Sequence, residues 1–143
     1  MLKKQFTPLL ILAFTTLVLG CTSKKEDHDD HDNVAVSEKE WKEMDDFHMV
    51  MAEAFHPFKD SSNLEPAKNY ADSLVTAADR WAEAPLPEKF KGDDEIKFKL
   101  NQLKVDAGTF AKVARDGDDK SVGQSLTKLH DLFHEIQESW YNR

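Results

Sequence analysis

Apolar side chains recur at alternating steps of three and four residues between residues 37 and 143. This period places them on one face of an α-helix, and its three interruptions predict four amphipathic helices. The predicted inward positions of helix one are Trp41, Met44, His48, Met51, Phe55 and Phe58, and those of helix two are Ala67, Tyr70, Leu74, Ala77 and Trp81. Those of helix three are Ile96, Leu100, Leu103, Ala107, Phe110 and Ala114, and those of helix four are Val122, Leu126, Leu129, Phe133, Ile136 and Trp140.

Capping residues and a proline mark the ends of the first two helices. Ser37 and Glu40 have the spacing of a capping box, so helix one is expected to begin at residue 37. Pro57 and the polar residues after it predict that this helix ends near residue 58. A second capping box, from Ser62 to Glu65, predicts the start of helix two.

Turn-forming residues separate the remaining helices. Pro85 and Pro87 predict the end of helix two and a loop that runs to about Gly92. The expected N-caps are Asp93 or Asp94 for helix three and Asp118 or Asp119 for helix four. Gly117 is expected to adopt the left-handed conformation that often follows a helix C-terminus.

Four helices with short connections and no strand-like alternation predict an all-α domain over residues 37–143. The expected architecture is an antiparallel up-down-up-down four-helix bundle. The composition agrees with one such domain, because the chain has 143 residues, one Cys and a net charge of −8. A single Cys excludes a disulfide framework and a Cys-rich metal site, and the acidic charge argues against nucleic acid as a partner.

The N-terminal residues are those of an export signal. Lys3 and Lys4 precede a short apolar run over residues 9–19, which is too short to span a bilayer comfortably. The sequence Val-Leu-Gly-Cys at residues 18–21 resembles the lipobox of bacterial lipoproteins. This resemblance implies cleavage after residue 20, acylation of Cys21 and a lipid anchor in the cell envelope.

The residue after Cys21 is relevant to the choice of membrane. Thr22 stands where an Asp would resemble an inner-membrane retention signal, so the outer membrane is the expected location, on either face. Removal of residues 1–20 takes away two lysines and no acid, which leaves the mature chain with a net charge of about −10.

Residues 22–36 are expected to form a disordered acidic tether. Its segment from residue 23 to 32 contains no apolar side chain and therefore cannot offset the entropy of ordering. His28 and His31 lie among five carboxylates and are candidates for weak binding of a divalent metal ion. The simpler interpretation is a solvated spacer that holds the helical domain away from the bilayer.

Three histidines carry the candidate chemistry of the domain. His48 lies within an apolar stripe, and His130 and His134 share a flank of helix four because they are four residues apart. If helices one and four run antiparallel, the levels of His48 and His134 differ by only about 3 Å. These histidines and Met44 are therefore expected to meet inside the bundle, whereas His56 lies about two turns further along and is not included.

The helical part also resembles the soluble four-helix cytochromes, of both the b type and the c-prime type. Phe133 and His134 match the place of the axial histidine near the end of helix four in that family. The segment from His130 to His134 lacks both thiols of the Cys-x-x-Cys-His motif, so only non-covalent haem b binding is implied. The second axial ligand implied by the resemblance is Met44, with His48 as an alternative.

Three functions from different classes follow. The first is binding of haem b for electron transfer to a redox partner. The second is a Cu or Zn site formed by His48, His130 and His134, to which Met44 or Met51 adds a ligand if the ion is Cu(I). The third is a ligand-free bundle that contacts another envelope protein. No nucleophile–base pair, phosphate-binding loop or paired-carboxylate site is recognisable, so the sequence predicts no enzyme.

Overall fold

The computed structural model of the chain describes residues 40–143. The predicted signal peptide, the predicted lipidation site Cys21, the predicted tether with His28 and His31, and Ser37 lie outside these residues. The described part is helical, contains no strand, and consists of α1 (Lys42–Ser61), α2 (Glu65–Asn69), α3 (Ala71–Glu83), α4 (Asp94–Asp116) and α5 (Asp119–Tyr141). A single 3₁₀ turn, Glu88–Phe90, lies between α3 and α4. The four longer helices pack together, which confirms the all-α prediction.

The core is made by the inward positions of these helices. Every predicted inward position of α4 and α5 is buried, which confirms the prediction made from the helical period. Aromatic rings gather where α1, α3 and α5 meet, with the ring centroids of Trp41 and Trp81 5.1 Å apart and those of Trp41 and Trp140 5.4 Å apart. Within the described residues, no helix is both long and apolar enough to cross a membrane.

The inward position on α1 between Met44 and Met51 is Phe47 and not His48. Phe47 is fully buried, whereas His48 is exposed, so the prediction that His48 faces the interior is wrong. A helical period of 3.6 residues allows either position to face inward. The apolar ring occupies the core because burial of an imidazole without hydrogen-bond partners costs free energy.

The end of α1 also differs from the prediction. The helix continues through Pro57 to Ser61, although the proline lacks a backbone N–H and its ring crowds the carbonyl of the residue four positions before it. The Pro57 carbonyl accepts from Ser61 Oγ at 2.8 Å and from the Asn63 N–H at 3.1 Å. Ser62 closes α1 at φ 56° and does not cap the next helix; the Asn63 side chain accepts from the Glu65 N–H instead.

The predicted second helix is divided into α2 and α3. The chain leaves α-helical geometry at Tyr70, where φ is −90° and ψ is 0°. This break changes which positions face the core: Tyr70 and Ala77, both predicted to face inward, are exposed and half-buried respectively. Ala71 and Ala78 are buried in their place.

The caps of α4 and α5 follow the prediction, and the glycine between them does not. Asp93 accepts from the N–H groups of the first turn of α4, and Asp118 accepts from the Ser121 N–H at 2.7 Å. Gly117 has φ −87° and ψ 162°, an extended conformation and not the left-handed one. A Cβ at this position would lie 2.6 Å from the Val113 carbonyl oxygen, so a close backbone approach explains the glycine.

Candidate metal centre

The α1–α5 interface contains the candidate site. Along it, Phe47 contacts Phe133 with ring centroids 5.5 Å apart, and Phe55 contacts His130 with ring centroids 3.7 Å apart. His134 lies one turn after His130 on α5, because residues four apart are neighbours on a helix surface. The structure therefore places His130 against α1 and His134 one turn further along the same side of α5.

The imidazoles of His130 and His134 contact each other through the Nε2 atom of each ring. His130 Nε2 and His134 Nε2 lie 3.1 Å apart within one hydrogen bond, in which one ring donates its N–H and the other accepts. The rings stand nearly perpendicular, with their centroids 4.4 Å apart and their planes at 69°. Both side chains are half-buried at the edge of the core.

The His130 ring is held by its surroundings. It stacks on Phe55 with the planes within 10°, and its side chain is 21% exposed. Its Nδ1 is buried and makes no hydrogen bond to a described residue, with the Asp131 Oδ1 atom 3.5 Å away. Burial lowers the pKa of His130, and the charges of His134 and His56 lower it further, whereas Asp131 raises it. The ring is therefore favoured in its neutral form, which is the form that binds metal ions.

The separation of the two Nε2 atoms suits a shared metal ion. With metal–nitrogen bonds of about 2.05 Å, atoms 3.1 Å apart subtend an angle of about 98° at the ion. This angle lies between the roughly 90° of square-planar geometry and the roughly 109° of tetrahedral geometry. An ion bound to both nitrogens would take the place of the proton that they share.

His48 lies outside the core and contacts Phe133, the residue before His134. Its ring stacks on Phe133 with the centroids 5.3 Å apart and the planes within 24°. The Phe133 ring in turn lies 5.2 Å from the His134 ring. His48 and His134 thus flank the same phenylalanine, although among the described residues no three His, Cys, Asp or Glu side chains are grouped closely enough to hold one ion.

The residues around Met44 do not fit a haem held between Met44 and His134. Met44 is 1% exposed within the core, whereas His134 lies at its edge. Rings of Phe47, Trp81 and Phe133, all buried, contact one another in the interior, and the Phe133 ring also contacts His134. A porphyrin in this place would have to displace that aromatic packing.

His56 was excluded in the sequence analysis, and Asp106 was not singled out there. His56 follows Phe55, and its charge is close enough to lower the pKa of His130. Asp106 is the single buried charged residue of the described part, and its Oδ1 accepts from Gln102 and Lys128 at 2.9 Å each. The sequence could have indicated its burial, because Asp106 comes three residues after Leu103 and directly before Ala107, and both of these were predicted to face inward.

The comparisons with known proteins assign no function, so any assignment is based on the geometry described above. No protein-family model matches the chain, and neither a curated protein nor a solved structure is significantly similar to it.

Proposed function

We propose that this chain is a lipid-anchored protein of the cell envelope whose helical domain binds a divalent transition-metal ion through His130 and His134. The observation that carries the metal proposal is the 3.1 Å separation of the two Nε2 atoms. The stacking of His130 on Phe55 supports it, because a ligand whose ring is already oriented loses less entropy on binding.

The proposal includes the antiparallel up-down-up-down order of the four longer helices. In support, residues further along α1 and its N-cap contact residues that come earlier in α5. The pairs are Trp41 with Trp140, Phe47 with Phe133, and Phe55 with His130. The connection between α4 and α5 is only Gly117 and Asp118, and such a short link favours neighbouring antiparallel helices.

The proposed ion is Cu²⁺, Ni²⁺ or Zn²⁺. Imidazole nitrogen suits all three ions, and the affinity of such a site is generally highest for Cu²⁺. An angle of about 98° at the ion is far from the linear arrangement of a two-coordinate ion, so we do not propose a linear Cu(I) site.

Anchoring is proposed from the sequence at residues 18–21, and the outer membrane is the expected destination. Two or three acyl chains would hold the protein firmly, since each buried methylene contributes about 0.8 kcal/mol. Expression of the full chain and mass spectrometry of its N-terminal peptide test this directly. An acylated Cys21 in the membrane fraction supports the proposal, and an unmodified Cys21 in a secreted chain overturns it.

Metal binding is tested by competition titration of the mature protein in detergent with Cu²⁺, Ni²⁺ and Zn²⁺. A His28→Gln, His31→Gln background removes the candidate ligands of the tether. One equivalent of ion should bind, and His134→Gln should weaken binding by about tenfold or more. Equal binding by the His134→Gln variant would overturn the metal proposal. A parallel haemin titration tests the haem b prediction, which a saturable one-to-one absorption band would favour.

A further inference from the structure

We infer that His48 is a third protein ligand of the ion, so that ion binding joins α1 to α5. This inference rests on the proposed metal site of His130 and His134. Its basis is the position of His48 on the same phenylalanine ring that His134 contacts, with centroid distances to Phe133 of 5.3 Å and 5.2 Å.

In this inference His48 reaches the ion by movement of its own side chain. It is exposed, so its ring leaves Phe133 without breaking core packing. The buried neighbour, Phe47, holds this turn of α1 against the same residue of α5, with ring centroids 5.5 Å apart. The backbone that carries His48 is therefore fixed at the level of Phe133, one residue before His134.

The other histidine of α1 is the natural alternative. His56 follows His48 by eight residues, which separates their Cα atoms by about 12 Å along the helix axis. This separation makes it difficult for both histidines to bind the ion shared by His130 and His134. His48 is favoured because its ring contacts Phe133, a side chain of α5 that His134 also contacts.

The chemistry of the completed site follows from its ligands. Three neutral imidazoles leave one position of a tetrahedral ion for water or an exchangeable donor, which is an arrangement that Zn²⁺ accepts. Cu²⁺ can take the same three nitrogens with added solvent ligands. The site would therefore hold the ion more tightly than two histidines alone while one side remains open for exchange.

The matched variants His48→Gln and His56→Gln test this inference by Zn²⁺ competition titration. Both are made in the mature protein in detergent, with the His28→Gln, His31→Gln background. We expect His48→Gln to weaken the affinity for Zn²⁺ by about tenfold or more and His56→Gln to change it by less than about twofold. Hydrogen exchange gives a second readout: Zn²⁺ should slow exchange of α1 amides in the parent protein and not in the His48→Gln variant.

The outcomes separate this inference from the proposed function. Zn²⁺ binding that depends on His134 but is unchanged in His48→Gln overturns the third ligand and leaves the two-histidine site. A larger loss in His56→Gln than in His48→Gln also overturns it. Absence of Zn²⁺, Cu²⁺ and Ni²⁺ binding in the parent protein would instead overturn the proposed function itself.

Discussion

The imidazole of His130 lies flat on the ring of Phe55, with the ring centroids 3.7 Å apart and the planes within 10°. The contact joins α5 to α1 and leaves Nε2 of His130 beside Nε2 of His134. Phe55 is buried, so it acts as a rigid support for a ring that lies at the edge of the core. The orientation of the proposed ligand thus depends on hydrophobic packing as well as on its own helix.

Replacement of Phe55 by Leu should weaken metal binding. The leucine retains much of the buried apolar volume but removes the stacked ring, and ring pairs of this kind contribute about 0.5–1.5 kcal/mol. We expect a loss of metal affinity of about two- to tenfold by competition titration. Phe58→Leu is the matched control, because Phe58 contacts Phe55 with centroids 6.1 Å apart but does not stack on His130. An unchanged affinity in Phe55→Leu would contradict the supporting role.

Two glycines should respond oppositely to replacement by alanine. At Gly117 the new Cβ would lie 2.6 Å from the Val113 carbonyl oxygen, so Gly117→Ala should destabilise the fold by about 1–3 kcal/mol. At Gly108, within α4, a Cβ meets nothing within 4 Å, so Gly108→Ala should stabilise by about 0.5–1 kcal/mol. Urea unfolding measures both changes, and a stabilising Gly117→Ala would show that this backbone approach is not as close as described.

Asp93 should contribute to unfolding at low pH. The hydrogen bond from the Ile96 N–H lowers the pKa of Asp93, and Arg143 lowers it further, against an opposing effect of burial. Because the folded pKa lies below the unfolded one, this stabilisation is present above the unfolded value near 3.8 and is lost as the pH falls through the folded value. Asp93→Asn can still cap α4 but does not titrate.

Urea unfolding between pH 5 and about pH 2 tests this prediction, since the window must extend below the lowered pKa. The free energy of unfolding should fall less steeply with decreasing pH in Asp93→Asn than in the parent protein. Identical slopes in the two proteins would contradict a lowered pKa of Asp93 in the folded state.

Replacement of Lys128, whose ammonium group pairs with the Asp106 carboxylate, should lower the free energy of unfolding. The Asp106 side chain is 8% exposed, and its Oδ2 is buried without a hydrogen bond to the described residues, so Lys128 and Gln102 provide its compensation. Lys128→Met should destabilise by about 1–2 kcal/mol, because it leaves a buried carboxylate without its cation. A second change, Asp106→Asn, should restore part of this loss. Additive losses in the double variant would contradict an interaction between the two side chains.

The sequence predicted the helices better than the details of the site. On α4 and α5 the period selected positions that are all buried, and it left out Phe98, Val105 and Leu132, which are exposed or half-buried. On α1, by contrast, Phe47 and His48 both satisfy the period, and only the free energy of burying each side chain decides between them. The caps Asp93 and Asp118 were local features and therefore predictable.

The pairing of His130 with His134 was also local, because residues four apart on a helix meet regardless of the tertiary fold. The stacking of Phe55 on His130 and the position of His48 on Phe133 were not predictable in this way. They depend on the relative rotation of α1 and α5, which is set by core packing over the whole length of both helices.

The most direct test of the central claim is a ¹⁵N NMR spectrum of the histidine rings during titration with Zn²⁺. The mature protein in detergent, with the His28→Gln, His31→Gln background, gives separate ring signals once each is assigned by substitution. We predict that the Nε2 signals of His130 and His134 move together to the shift of a metal-bound nitrogen and stop at one equivalent. Unchanged signals of these two nitrogens, or a response confined to other histidines, would contradict the account.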